Sequence, residues 1–289
     1  MAVAGPTQLK PSLPKDRSWV LLLSHELGGP ITVLRGYASI WGELGERMEP
    51  DTELLAQGLS HLLDSARSAK TVADPALHRS FRYFESQARP ATRRLHALLA
   101  NAGETPALAD CLQASMQIEA LVEQLAVALR VATDDGIEWQ LVELGAWTRA
   151  LVHEVAAPAA VTGHRLLMQG PRDPARARVT PGPLRAAVVN LIDNAQKHSP
   201  PGTPILVAVR TLPEQVAIHV ADRGPGLPEA GLVAAPFQRV EQPISFALPG
   251  LGLGLMIAAR AAELNNGRLV YKQREGGGAE FAIELSRTT

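Results

Sequence analysis

Two asparagines four residues apart, Asn190 and Asn194, stand with Lys197 in the stretch NLIDNAQKHS. That spacing puts the three side chains on one face of a helix. Two amides and an ammonium on one face suit a hydrated divalent cation and a phosphate chain. Magnesium takes oxygen ligands and keeps several waters, so two protein ligands can suffice. Downstream, ADRGPGL places Asp222 before Gly224 and Gly226, at the end of an apolar run. A carboxylate delivered there can accept a hydrogen bond from an exocyclic amine such as that of adenine, and the glycines let the backbone approach a flat ligand closely. In APFQRVEQ, Phe237 can anchor a loop and Arg239 can reach a phosphate. GLGLGLMIAAR then sets Gly250, Gly252 and Gly254 ahead of a helix, where exposed N–H groups and the helix dipole favour a phosphate. Near the start of the chain, SHELGGP pairs His25 with Glu26. An imidazole with one unprotonated nitrogen is a nucleophile near neutral pH, and an adjacent carboxylate can take the proton of the other nitrogen. Taken singly, each pattern is also an ordinary feature: a polar helix face, a tight turn, a plain loop, a surface histidine.

The elements that must position these residues divide near residue 135. Before it the chain reads as helix. From about Ser18 into the forties, Val20, Leu23, Leu27, Ile31, Leu34 and Ala38 recur at three and four residues, which gives one apolar stripe. From about Pro106 to Ala132, Leu108, Leu112, Ser115, Ile118, Val122, Leu125 and Leu129 do the same. Two such helices cannot bury their stripes alone, and dimerisation into a four-helix bundle is the simplest solution. Residues 46–105 between them are too many for a hairpin turn. They read as an inserted helical element interrupted at Pro90, with Arg79, Arg82, Arg89, Arg93 and Arg94 as a solvated basic face or a docking surface. After residue 135 helices and strands alternate. RLLMQG, ARVT, PILVAVRT and QVAIHVADRG read as strands, and RLVYKQR and AEFAIELS as a hairpin around Glu275-Gly276-Gly277-Gly278. Helix signals include Thr180 as a cap with Pro181 after it, and Asn266-Gly267 as a stop. The fold class is α+β, a mixed sheet with helices on one face.

The chain has 289 residues, enough for about two domains. Its 46% hydrophobic and 20% charged residues are those of an ordinary globular protein. A net charge of -1 offers no field that would draw nucleic acid or anionic lipid. The lone Cys111 cannot make an internal disulfide, which suits a reducing cytoplasm. No apolar run approaches the roughly 18 residues of a membrane span, and no basic stretch precedes an apolar core at the N-terminus, so neither a span nor a signal peptide is expected.

In order and spacing, the Asn-x-x-x-Asn, Asp-x-Gly-x-Gly and Gly-x-Gly-x-Gly motifs resemble the ATP-binding domain of the GHKL superfamily over about residues 140–289. Ser24, His25, Glu26, Leu27 and Pro30 match the H-box of sensor histidine kinases of two-component systems, and MQIEALVEQLAVALRVATDDG looks like the second helix of their dimerisation domain. The resemblance implies a tail at 1–17, a dimerisation and histidine phosphotransfer domain at 18–135 with the insert at about 46–105, and a catalytic ATP-binding sandwich at 136–289. It implies ATP and Mg2+ as cofactors. Asn190 and Asn194 would hold the metal, Lys197 would help, and Asp222 would contact adenine. Gly224 and Gly226 would support the base pocket; Gly250, Gly252 and Gly254 would support the lid and phosphates. It further implies phosphorylation of His25, with Glu26 as proton acceptor, transfer to an aspartate of a response regulator receiver domain, and a homodimer.

The departure is Gly28-Gly29. The family commonly has arginine at the first position, and uses threonine or asparagine at the second to orient the water that dephosphorylates the regulator. Kinase activity with weak or absent phosphatase activity is therefore expected. Two further readings stand beside this one: a degenerate kinase that only binds or relays to a regulator, and an ATP-driven clamp like the chaperone and topoisomerase branches.

Overall fold

The computed structural model describes residues 7–9, 18–69, 74–132, 138–161, 163–226 and 254–288. It separates into two compact units, each described by itself. One is made of the helices between residues 13 and 133; the other contains residues 1–12 and most of the chain after residue 134.

The helical unit has four long helices: α1 (Ser18–Ala38), α2 (Glu43–Ser68), α3 (Pro75–Ala100) and α4 (Pro106–Ala132). α1 packs on α2 and α4, α2 on α3, and α3 on α4. Connections this short make successive helices antiparallel, so the four close into an up-down-up-down bundle. The stripes read from sequence form its core: Leu23, Leu27, Ile31 and Leu34 of α1 and Ile118, Val122 and Leu125 of α4 are all buried. Residues 46–105 are thus two full bundle helices, and they cover the stripes expected to be buried by dimerisation. The physical reason is amphipathicity. Leu55, Leu59 and Leu62 on α2, and Phe81, Phe84, Leu95 and Leu99 on α3, recur with helical spacing and close the same core. A Cβ on Gly45 would lie 2.0 Å from the Ala38 carbonyl oxygen, so the α1–α2 corner requires its glycine.

Pro90 does not interrupt α3. Its ring is exposed while Ala88 and Ala91 beside it are buried, so packing holds the helix through the missing hydrogen bond. The basic residues are not simply a solvated face. Arg89 bridges Glu85 on its own helix to Glu123 on α4, and Arg94 grips Asp51 on α2 through Nε and Nη2.

The second unit comprises β1 (Thr7–Leu9), β2 (Gln140–Glu143), α5 (Leu144–Val161), β3 (Arg165–Gln169), β4 (Arg176–Val179), α6 (Pro181–His198), β5 (Pro204–Thr211), β6 (Gln215–Ala221), α7 (Gly254–Leu264), β7 (Arg268–Gln273) and β8 (Ala279–Ser286). Six strands form a mixed sheet in the order β1-β7-β8-β6-β5-β3, and β2 pairs with β4 separately. Only β3 with β5 is parallel in the large sheet. Ile205, Val207 and Val209 of β5, Val216, Ile218 and Val220 of β6, and Phe281, Ile283 and Leu285 of β8 are buried. α5, α6 and α7 pack on these strands and α6 packs on α7. The hairpin around residues 275–278 forms as read. So does the α7 stop: Asn266 has a φ of 53°, and the Gly267 N–H donates to the Ala262 carbonyl at 2.8 Å. Residues 7–9, read as part of a tail, instead add an edge strand to β7, with Leu9 buried.

Candidate functional site

α6 carries Asn190, Asn194 and Lys197 on the face opposite Leu184, Val188, Leu191 and Ala195, which are buried. Asn190 Nδ2 donates to the Ala186 carbonyl at 2.8 Å, which leaves Oδ1 as the atom offered outward. The first residue of α7, Gly254, lies against both amides. A Cβ there would stand 3.0 Å from Asn194 Nδ2, 3.1 Å from its Oδ1 and 3.4 Å from Asn190 Oδ1. The third glycine of the glycine motif therefore meets both asparagines, and the N-terminus of α7 adds its dipole there. Lys197 Nζ contacts Asp193 Oδ2 at 2.5 Å, a partner the sequence reading did not assign. Oxygen donors beside a helix N-terminus and a lysine fit a metal-bound phosphate chain in chemical type.

Asp222 follows β6 and is 4% exposed. Its Oδ1 accepts hydrogen bonds from the N–H groups of Gly224 (2.7 Å) and Ala279 (3.0 Å). Its own N–H donates to the Ala279 carbonyl at 2.9 Å, and Arg274 Nη1 donates to its carbonyl oxygen. Among the described residues, both hydrogen bonds to the carboxylate fall on Oδ1, which leaves Oδ2 to accept from an amine. Three glycines permit this arrangement. A Cβ on Gly224 would lie 2.5 Å from the His198 carbonyl oxygen, and one on Gly278 2.2 Å from that of Asp222. Gly226 has a φ of 77°, a conformation that glycine adopts without steric cost. The Asp222 loop thus rests on the end of α6, next to Lys197, and on the β7–β8 hairpin.

Arg239, Gly250 and Gly252 lie outside the described residues, as does Phe237. Sequence reasoning missed the residues that hold Asp222: Arg274, Gly278 and Ala279. The run Gly276-Gly277-Gly278 was read as a turn, and nothing local tied it to an aspartate far upstream. Thr180 does stand at the N-cap position of α6 with Pro181 after it, but its side chain makes no cap hydrogen bond. Thr180 N and Oγ1 both donate to Oδ1 of the buried Asn265 (2.6 and 3.1 Å), which ties the start of α6 to the end of α7.

In the helical unit, His25 stands on the outer face of α1 with its side chain 86% exposed. Glu26 is buried, and its Oε1 lies 3.6 Å from His25 Nδ1. The carboxylate thus faces one ring nitrogen, and Nε2 is the other. Pro30 has no N–H for the Glu26 carbonyl four residues earlier, so the helix ladder is locally interrupted one turn beyond His25.

Residues 180–289 match the family described as histidine kinase-, DNA gyrase B-, and HSP90-like ATPase. Along more of its length, the chain is similar to the probable sensor histidine kinase TcrY of Mycobacterium tuberculosis. The two are 27% identical over 276 residues, which covers 93% of this chain and 45% of that protein. The signal transduction histidine-protein kinase AfsQ2 of Streptomyces coelicolor is 38% identical over 112 residues, or 38% of this chain and 20% of that one. In fold, the chain is similar to full-length ShkA in complex with AMPPNP, with a TM-score of 0.57 at 21% identity over 73% of this chain and 46% of that one. The chain spans less than half the length of these relatives. By fold and motif the second unit is a GHKL-type ATP-binding domain. The similarity to a probable sensor histidine kinase extends beyond that domain, over 93% of this chain.

Proposed function

We propose that this chain autophosphorylates on His25 at the expense of ATP and passes the phosphoryl group to an aspartate of a response regulator receiver domain. The observations that carry the reading are the meeting of Asn190, Asn194 and Gly254, and a buried Asp222 whose Oδ2 is left to accept. In this reading Asp222 Oδ2 accepts from the adenine amino group, while Gly224 and Gly226 let the base lie against the backbone. The side-chain oxygens of Asn190 and Asn194 would hold Mg2+, which when bound neutralises charge on the phosphates. Lys197 stands in exchange between Asp193 and the phosphate chain, and the α7 N-terminus at Gly254 offers N–H groups to it.

Transfer requires the nucleotide-bearing unit to bring the γ-phosphate to His25. Glu26, facing Nδ1, takes the proton that this nitrogen sheds, which leaves Nε2 as the nucleophile. Nε2 attacks the γ-phosphorus, the N–P bond forms, the bond from phosphorus to the bridging oxygen breaks, and ADP departs. The contribution of this chain is positioning and charge balance. Gly29 supplies no side chain to orient a water, so phosphatase activity by the family route is weak or absent.

Nucleotide titration of the wild type beside Asp222→Asn tests the pocket. An asparagine can still accept both backbone hydrogen bonds, so the fold is kept while the carboxylate is lost. The expected loss in affinity is about 10- to 150-fold, from a charged hydrogen bond worth roughly 1.5–3 kcal/mol. Unchanged affinity would contradict the reading.

A further inference from the structure

β7 brings a second polar side chain to the loop that begins at Asp222. Leu269, Tyr271 and Gln273 alternate along one face of the strand. Tyr271 and Phe281 face each other across β7 and β8, both buried, with ring centroids 5.4 Å apart. Gln273 follows on that face, directly opposite Ala279. Ala279 is the residue whose N–H donates to Asp222 Oδ1 and whose carbonyl accepts from the Asp222 N–H. The next residue after Gln273, Arg274, donates to the Asp222 carbonyl. At the other end of the loop, a Cβ on Gly226 would fall on the Gln273 amide. The hairpin therefore meets both ends of residues 222–226, and the Gln273 amide fills the space that glycine leaves at 226.

That amide is oriented. The Tyr271 hydroxyl donates to Gln273 Oε1. Nε2, the other end of the group, is a donor with no acceptor among the described residues. Packing alone does not call for an amide here, since methionine has the same length and adapts to irregular gaps. The donor is what methionine lacks. Asp222 Oδ2 offers an acceptor at one end of the loop, and Gln273 Nε2 offers a donor at the other. Adenine is the complement of that pair. Its exocyclic amine donates, and the ring nitrogens on either side of it, N1 and N7, accept. Guanine carries an acceptor, O6, where adenine has its amine.

We infer that Gln273 is a specificity-determining residue for the base. Its Nε2 donates to a ring nitrogen of adenine beside the amine that Asp222 Oδ2 accepts from, and Tyr271 holds the amide in the orientation this needs. The inference rests on the nucleotide pocket proposed above and adds to it a contact from β7.

Competition titrations with ATP, 1-deaza-ATP and 7-deaza-ATP test it, because each analogue replaces one ring nitrogen by a C–H group. Wild type should bind one of the two analogues about 3- to 10-fold more weakly than ATP. Gln273→Met should bind ATP more weakly by a similar factor and should no longer distinguish ATP from that analogue. Gln273→Glu keeps the length of the side chain but sets an acceptor against the ring nitrogen, so its preference should reverse in favour of the same analogue. Binding of that analogue also shows that each variant is folded. Equal weakening of all three nucleotides in Gln273→Met would assign Gln273 to packing under the loop and overturn the inference. So would a wild type that binds both analogues as tightly as ATP. Neither result touches the role of Asp222, which Asp222→Asn reads separately. Wild type that binds no ATP would sink the pocket itself, and this contact with it.

Discussion

Gly28 is a glycine in the middle of a helix, with no positive φ to require it. Replacement by alanine should stabilise the bundle, by an amount that follows from two terms. Helix propensity favours alanine over glycine by about 0.8–1.0 kcal/mol. The added methyl would meet Leu59 Cδ2 at 3.9 Å, an ordinary contact, and a fully buried methylene adds about 0.8 kcal/mol. Gly28 is half-buried, so the gain at Gly28→Ala should be roughly 1–1.5 kcal/mol.

Gly29 makes the comparison informative. Its Cβ position is open, with nothing within 4 Å, yet it precedes Pro30. A side chain on the residue before proline clashes with the proline ring in helical geometry. Gly29→Ala should therefore gain less than Gly28→Ala, and Gly36→Ala, also open and free of proline, should gain the full propensity term. Urea unfolding followed by far-UV circular dichroism would show higher midpoints at unchanged slope, or melting temperatures raised by roughly 4 °C per kcal/mol. A midpoint for Gly28→Ala at or below that of wild type would refute the reasoning, because it would mean that the backbone at 28–30 is not helical as described.

Three further outcomes are expected. Cys111 is fully buried and its thiol is pushed up to about 11, first by burial and then by Asp110; a thiol reagent should label native protein only as fast as the bundle opens, and urea-unfolded protein at once, and rapid native labelling would contradict the packing of α4. Glu280 bonds to His219 and pairs with Arg210. Its hydrogen bond to His219, and then the nearby positive charges, hold its carboxyl down at about 2, against 4.5 when unfolded. Its contribution is therefore complete above pH 4.5 and is lost as pH falls towards 2. Urea midpoints of Glu280→Gln should show a shallower acid slope than wild type, and identical slopes would refute this. Finally, Gly29→Thr, which has room for its side chain, should speed the loss of phosphate from a labelled receiver domain, and no change would remove position 29 from the account of the weak phosphatase.

Periodicity carried the fold as far as single elements. Leu23, Leu27, Ile31 and Leu34 face a core because they recur with helical spacing, and the glycine run at 276–278 turns a hairpin because its flanks alternate. What periodicity cannot say is which stripe meets which. The facing of Phe84 and Leu95 towards the α1–α4 stripe depends on packing among four helices, so the sequence alone suggested a second copy. Pro90 misled for a related reason: its local penalty is real, but buried neighbours on the same helix outweigh it. At the site, the residue types and order of Asn190, Asn194, Asp222 and Gly254 were legible because each motif is short. Their supports were not. Asn265 holds Thr180 across 85 residues and Ala279 holds Asp222 across 57, and neither pairing leaves a local trace.

The central claim is phosphorylation of His25, and the direct measurement is incubation of the purified chain with γ-labelled ATP and magnesium, wild type beside His25→Gln. The account predicts acid-labile, base-stable label on the wild type and none on the variant. Equal label on both proteins would contradict it, since the acceptor would then be another residue.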